Sequence, residues 1–434
     1  MPQHRGDSFN PTMLRHAAWL VIAMAACTAG CWPIPISVNE GIVIDTDDID
    51  VLLDRYTGSQ AEPGCSMQLL TESEQSYIGF RELIENATTT IDIETLNFDD
   101  DSSYPEDIAL EFARLLADKA RAGVRVRVIL DAGTHTALTR PEINRVLLDG
   151  GVDVHEYKPD RADLSIGGYL FRMHKKILVV DGLRAIVGGS NYGYRYQGPQ
   201  QWRDTNVVLA GPIVTTIQRE FDYDWDNRSA TALLLLSSPA RVELTGPYTL
   251  REIDQKPSED DFDINHAVLI GLRIAKNRVD IEAPYFNPTD WLLQEMADAV
   301  ARGVQVRVLV NSAQSHDIPF VFWAGANMFE TVLTRGVRIL VWDRTSRTMH
   351  SKAMIVDDTL AMVGTYNFNA RSILWDTENA VFTTDPGAIL LIDEMIRKDF
   401  AEPNVLEIDL DWVNAQPIEE KLKWGVFGWF GPLF

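Results

Sequence analysis

Short runs of alternating apolar and polar residues occur twice along this chain, about 180 residues apart, each followed by a stretch with helical periodicity. Ile91-Asp92-Ile93-Glu94 matches Val279-Asp280-Ile281-Glu282, and strict alternation of this kind predicts half-buried β-strands. Amphipathic stretches follow at about Ile108–Ala122 and Trp291–Arg302, each closed by a glycine suited to a helix C-cap, Gly123 and Gly303. Those glycines lead into β-rich runs ending at Asp131 and Asn311. A second matched pair of strands follows, Gly151–Tyr157 and Gly336–Trp342, and then two fully apolar runs, Ile177–Val180 and Ala353–Val356.

This order predicts an α/β fold. The copies are too few and too long for a solenoid. They predict two similar α/β domains related by a pseudo-twofold axis, each a mixed β-sheet flanked by helices. The predicted divisions are 1–31 as a leader, 32–70 as an N-terminal linker, 71–235 and 236–410 as the two domains, and 411–434 as an aromatic tail. The acidic stretch Gln255 to Asp263 reads as part of the connector or a surface loop.

With 46% hydrophobic residues, the 434-residue chain has enough apolar material for large cores. Its formal net charge of −24 repels polyanions, so it argues against a general nucleic-acid binder and no nucleic-acid partner is expected. Arg5 and Arg15 precede the apolar run Ala17–Ala26, the layout of a secretory signal and too short for a comfortable membrane span. Thr28-Ala29-Gly30-Cys31 resembles a bacterial lipobox, with Thr28 where leucine is usual. The expected setting is therefore the bacterial cell envelope, with an exported lipoprotein anchored at Cys31. Soluble export, an uncleaved anchor and a cytosolic protein are the alternatives. With Cys27 and Cys31 in the leader, Cys65 is left alone, so neither a disulfide framework nor a cysteine metal site is expected.

The chemistry sits beside the apolar runs. His174-Lys175-Lys176 leads into Ile177–Val180 and Asp181, and His350-Ser351-Lys352 leads into Ala353–Val356 and Asp357. On an extended segment, residues two apart share a face, so each copy presents an imidazole beside an ammonium. Lysine binds phosphoryl oxygens as a point charge, and histidine can attack or shuttle protons. Gly188-Gly189-Ser190-Asn191 and Gly364-Thr365-Tyr366-Asn367 follow, each asparagine 17 residues beyond its histidine. Each copy then places a carboxylate at a similar distance, Asp204 30 residues past His174 and Glu378 28 past His350. Such a carboxylate can accept from the second ring nitrogen and fix the tautomer.

Two HxKxxxxD motifs in register with an independent repeat resemble the phospholipase D superfamily, and within it the bacterial cardiolipin synthase-like branch. The resemblance runs from about Glu72 to Glu402. It is carried by Met173-His-Lys-Lys, Val187-Gly-Gly-Ser-Asn191, Trp202-Arg-Asp-Thr-Asn206, Pro284-Tyr-Phe, Asp317-Ile-Pro319 and Gly364-Thr-Tyr-Asn-Phe-Asn-Ala-Arg-Ser372. It implies one active site between the two domains and a ping-pong reaction without metal or other cofactor. One histidine forms a phosphohistidine while the other serves the leaving and incoming alcohols. By position, the resemblance makes His174 the nucleophile and His350 the general acid/base. Lys176, Lys352, Asn191, Asn367 and Thr365 would hold phosphoryl oxygens, and Asp204 and Glu378 would orient the histidines. Asp181 and Asp357, the last members of the catalytic motifs, would be buried and structural. Many members of that superfamily carry serine where this chain has Gly189 and Thr365; Thr365 keeps a hydroxyl, whereas Gly189 offers only backbone.

His316 beside Asp317 is a candidate pocket residue, and Arg371-Ser372 either contact a headgroup or form a salt bridge. The aromatic tail Lys423–Phe434 suits either the membrane interface or packing against the body. The function implied is phosphatidyl transfer on phospholipids, phosphatidylglycerol or phosphatidylethanolamine, at a membrane surface. A phospholipase D hydrolase, an exported nuclease and a non-catalytic envelope protein are the competing readings.

Overall fold

The computed structural model describes residues 41–99, 101, 103–135, 140–157, 171–226, 244–344 and 347–433. The leader with Cys27 and Cys31 lies outside them. In the first half, α1 (Ile49–Tyr56) precedes β1 (Glu62–Leu70), α2 (Ser73–Asn86), β2 (Thr90–Thr95), α3 (Ile108–Arg121), β3 (Arg125–Asp131), α4 (Pro141–Asp149) and β4 (Asp153–Tyr157). Then come β5 (Arg172–Met173), β6 (Ile177–Val180), β7 (Arg184–Gly188), α5 (Tyr194–Gln197), β8 (Asn206–Ala210) and α6 (Ile213–Asp226). The second half opens with β9 (Tyr248–Gln255), α7 (Asp263–Ile274), β10 (Arg278–Glu282), α8 (Asp290–Ala301), β11 (Gln305–Asn311), α9 (Pro319–Ala326), α10 (Phe329–Thr334) and β12 (Arg338–Trp342). It continues with β13 (Ala353–Val356), β14 (Leu360–Gly364), α11 (Ala370–Leu374), β15 (Asp376–Thr383), α12 (Pro386–Phe400), β16 (Val405–Ile408), α13 (Leu410–Ala415) and α14 (Ile418–Gly428).

The strands join into one sheet in which two copies of a pattern meet back to back. From the centre outward, the first half runs β1-β8-β7-β6-β2-β3-β4 and the second runs β9-β15-β14-β13-β10-β11-β12, with β16 beyond. In both, the outer three strands are parallel and the inner ones antiparallel. Gly123 and Gly303 close α3 and the segment after α8 with the same left-handed φ of 94°, the conformation glycine supplies without steric cost.

The stretch 32–70 is not a linker throughout. From Ile49 it carries α1, and β1 is the strand that joins the halves, antiparallel to both β8 and β9. Pro63-Gly64 disguises it, because proline demotes a strand reading. The structure absorbs the pair at the strand's start, with a register shift between Pro63 and Cys65 and Gly64 at φ 85°. The Gln255–Asp263 stretch is also not a loose connector. Gln255 is fully buried, donates to the Ser372 carbonyl at 2.7 Å and accepts from the Asn265 N–H at 3.0 Å.

Each half has its own core, and a third core belongs to both. Ile177 and Val179 of β6 pack with Ala353 and Ile355 of β13, beneath Ile213 and Ile217 of α6 and Ile389 and Ile392 of α12. At about 1.5–3 kcal/mol per fully buried aliphatic side chain, this shared core holds the two motif strands in a fixed relation. Cys65 lies within it, and burial pushes its thiol up to about 11, so it is an inert packing residue.

Candidate active site

Backbone pairing across the two halves delivers each motif histidine. β5 runs parallel to the start of β15, with Met173 opposite Thr377, and the His174 N–H donates to the Thr377 carbonyl at 3.0 Å. In mirror fashion Arg203 bridges Met349, and the His350 N–H donates to the Arg203 carbonyl at 2.6 Å. The residue after Thr377 is Glu378, and the residue after Arg203 is Asp204.

The result is an exchange of partners. His174 Nδ1 lies 2.9 Å from Glu378 Oε2, and His350 Nδ1 lies 2.8 Å from Asp204 Oδ2. Each imidazole is therefore oriented by the carboxylate of the other half, leaving its Nε2 for chemistry. Lys176 Nζ folds back onto the His174 carbonyl at 2.6 Å, and Lys352 Nζ onto the His350 carbonyl while lying 3.0 Å from both ring nitrogens. The shared face expected of an extended segment thus brings two histidines, two lysines and two carboxylates together.

Electrostatics distinguishes the two pairs. Burial, with Lys176 nearby, holds the His174 imidazole well below its ordinary value, and burial with Lys352 puts His350 at about 4. Burial likewise lowers Lys176 to about 8 and Lys352 to about 7. Burial raises Glu378 to about 7. Burial alone would raise Asp204 too, but His350 and Lys352 outweigh it and hold the carboxyl below its usual range. The surroundings differ as well. The His174 side chain is 13% exposed, whereas His350 is 4% exposed and walled by the rings of Trp202, Tyr196 and Tyr285 at 5.0, 5.5 and 5.7 Å.

The supporting groups are unequal too. The hydroxyls of Thr365 and Ser372 donate to Glu378 Oε2 and Oε1. Asp204 accepts from Ser190 Oγ at 3.2 Å and from the Thr205 N–H at 2.8 Å, and the position corresponding to Thr365 is Gly189. A Cβ at Gly189 would lie 2.1 Å from Asp204 Oδ1, so the glycine makes room for the carboxylate. Arg203 anchors this segment by pairing with buried Asp399 and donating to the Asp204 carbonyl at 2.8 Å. Lys175, fully buried, bridges Asp224 and Asp254 at 2.6 and 2.5 Å and ties the first motif to α6 and β9.

The two asparagines are engaged differently. Asn191 accepts from Thr95 Oγ1 at 3.1 Å and donates to the Tyr196 hydroxyl at 3.0 Å, buttressing the wall of His350. Asn367 is buried with its side-chain oxygen unpartnered. Asp181 and Asp357 lie at the far ends of their strands, at φ 54° and 52°. Asp181 caps the N–H groups of Thr88, Thr89 and Thr90, and Asp357 those of Lys276, Asn277 and Arg278. Each ties the end of its motif strand to the start of the neighbouring one, β6 to β2 and β13 to β10; Asp181 is half-buried rather than buried. His316 lines a shallow recess with Tyr285, Phe286 and Phe322, Tyr285 also walling His350, and Arg371 pairs with Asp376 at 2.5 Å. Sequence reasoning missed Trp202 and Tyr196 as walls, and the hydroxyls on Glu378; the Trp202–Asn206 run and the Arg371-Ser372 pair carried the only signals.

A duplicated α/β sheet with one exchanged pair of histidine–carboxylate dyads defines a two-motif phosphodiester enzyme of the phospholipase D class. Residues 80–225 and 269–400, more than half of the chain, match the family described as cardiolipin synthase, PLD-like domain. The chain belongs to that family. It is 31% identical to cardiolipin synthase A of Pseudomonas entomophila (strain L48) over 342 residues, 77% of this chain and 68% of that protein. It is 30% identical to a cardiolipin synthase of Geobacillus sp. (strain WCH70), covering 84% of this chain and 72% of that protein. Among solved structures, phosphatidylserine synthase of Haemophilus influenzae Rd KW20 shares the fold with a TM-score of 0.69 at 15% identity, covering 90% of this chain and 100% of that one. Polyphosphate kinase of Porphyromonas gingivalis aligns at a TM-score of 0.53 and 12% identity, over 92% of this chain and 58% of that one.

Proposed function

We propose that this protein is a phosphatidyltransferase of the cardiolipin synthase type, acting on phospholipid phosphodiesters through a phosphohistidine. The exchanged dyads carry this reading. They hold two imidazoles, each backed through Nδ1 by a carboxylate of the other half, among two buried lysines that suit one phosphodiester.

His174 is the nucleophile. Its ring is neutral, the more exposed of the two, and backed by a carboxylate held near neutrality, so it favours attack over protonation. Nε2 forms the bond to phosphorus as the bond to the leaving alcohol breaks. His350 supplies the proton that alcohol needs. A phosphodiester anion alongside raises the pKa of His350, and ionised Asp204 stabilises the imidazolium. Neutral again, His350 takes the proton of the incoming hydroxyl, which attacks phosphorus and frees His174. Lys176, Lys352 and the Asn367 amide hold the phosphoryl oxygens. The Thr365 hydroxyl is engaged with Glu378 and acts through that carboxylate.

Phosphatidylglycerol and phosphatidylethanolamine are the proposed substrates, at the surface of the bacterial envelope, with the chain tethered through Cys31. No helix among the described residues is long and apolar enough to cross a membrane. The net charge of −24 weighs against a nuclease. Incubating the protein with phosphatidylglycerol, alone and with phosphatidylethanolamine, tests the proposal by its lipid products. Cardiolipin with release of the donor's headgroup alcohol is expected; phosphatidic acid without cardiolipin makes it a hydrolase.

A further inference from the structure

The last helix has two apolar faces, and only one of them is covered. On the inner face of α14, Trp424 packs on Phe329 and Trp412 at 6.2 and 6.4 Å, and Phe427 packs on Trp323 at 5.1 Å. Ile418, Leu422, Val426 and Trp429 recur at helical spacing and are 70%, 63%, 59% and 79% exposed. Four large apolar side chains in one line, with Trp429 the most exposed of them, form a stripe rather than scattered surface residues.

The opposite, covered face of α14 and the residues after it lie against the wall of the cleft. α14 packs along α9, which starts three residues after His316 in the wall beside His350. Beyond α14, the Gly431 carbonyl accepts from Asn287 Nδ2 at 2.6 Å, close behind Tyr285 in that wall. The Leu433 carbonyl accepts from Arg371 at 3.4 Å. Lys421 and Lys423 lie on either side of the stripe, Lys421 donating to the Asn414 carbonyl at 2.9 Å and Lys423 paired with Glu420 at 2.6 Å.

We propose that this face of α14 is the surface on which the protein rests on a phospholipid bilayer, with the cleft turned to the headgroups. This rests on the phosphatidyltransferase reading and adds the docking residues. Amphipathic helices lie in the interface plane with the apolar face buried, and tryptophan prefers that depth. A second copy fits less well. One line of four side chains offers less than the roughly 800 Å² per partner of a stable interface.

Hydroxyl-radical footprinting of the full chain, with and without phosphatidylglycerol–phosphatidylethanolamine vesicles, tests this on unaltered protein. Oxidation of Trp429 and Leu422 is expected to fall about fivefold or more on vesicles, as for side chains buried in the interface. Leu183, 70% exposed on the β6–β7 turn, serves as the reference that stays reactive. The double variant Leu422→Asp, Trp429→Asp is expected to lose about tenfold in turnover of vesicle lipid, yet to keep within about twofold its turnover of a monomeric short-chain phosphatidylglycerol. Trp429 remaining fully oxidisable while the chain sediments with vesicles overturns the proposal. So does a failure to bind vesicles, wild-type turnover of vesicle lipid by the double variant, or protection that follows protein concentration without lipid and so reports a second copy. Failure of the wild type on the short-chain substrate strikes the phosphatidyltransferase reading instead, and leaves the footprint to decide the surface.

Discussion

Replacing Gly189 by alanine adds one methyl group at the point where this active site has no room for it. The new Cβ would lie 2.1 Å from Oδ1, 2.7 Å from Cγ and 2.8 Å from Oδ2 of Asp204. Gly189 does not occupy the left-handed region, so the backbone accepts alanine and the whole effect falls on the carboxylate. Asp204 must retreat by roughly 1 Å, and its 2.8 Å bond to His350 Nδ1 cannot survive that movement. A hydrogen bond to a charged group contributes about 1.5–3 kcal/mol, which corresponds to roughly 10- to 150-fold. We therefore expect Gly189→Ala to lower kcat by that factor. KM should change little, because the lysines and Asn367 are untouched. The assay is steady-state lipid turnover, with the unfolding midpoint measured in parallel to exclude simple destabilisation. A variant within about threefold of wild type would refute the idea that Asp204 acts from this position.

The two histidines separate by leaving group. His174→Ala is expected to lose at least about 10³-fold on every substrate, whereas His350→Ala should recover on a p-nitrophenyl phosphodiester, whose leaving group needs no proton; equal losses would contradict the assignment. Thr365→Val or Ser372→Ala removes a hydroxyl that favours ionised Glu378, so the carboxyl moves further up from about 7. The acid limb of kcat should then shift upward by about 1 pH unit per lost bond, with Thr365→Ser restoring it; a lower plateau without a shift would mean the hydroxyls are only structural. Asp181→Ala should cost about 1–3 kcal/mol in urea unfolding and leave kcat within about twofold, because its carboxylate caps the backbone and touches no substrate group. Burial alone would raise the Asp181 carboxyl, but the Thr90, Thr89 and Thr88 donors hold it below the usual range. Its stabilising effect is thus present above about pH 4 and is lost as pH falls below that, a loss the alanine variant should not show.

Much of this site was written in spacing. The His-x-Lys pairs, the apolar strands after them and the glycine turns repeat closely enough to predict two matched centres. The exchange of carboxylates was not legible. Asp204 and Glu378 stand at nearly the same offset from their own histidines, and an offset cannot say which half a side chain serves. That depends on the pairing of Met173 with Thr377 and of Arg203 with Met349, contacts between segments far apart in sequence. β1 was hidden by Pro63-Gly64, which obey local turn chemistry while the strand obeys the sheet. Thr365 kept the hydroxyl that a phosphate contact would need, and only the placement of Glu378 shows where that hydroxyl points.

The exchanged dyads also set the order in which the protein becomes active. His174 finds its carboxylate 204 residues later in the chain, and His350 finds its own 146 residues earlier. Loops of that length close late, after local strands and helices have formed. A chain emerging from the ribosome can complete its first sheet while His174 still has no partner. Reactivity toward phosphodiesters is thereby withheld until β15 has docked, so truncated or half-folded chains are unable to attack the lipids around them.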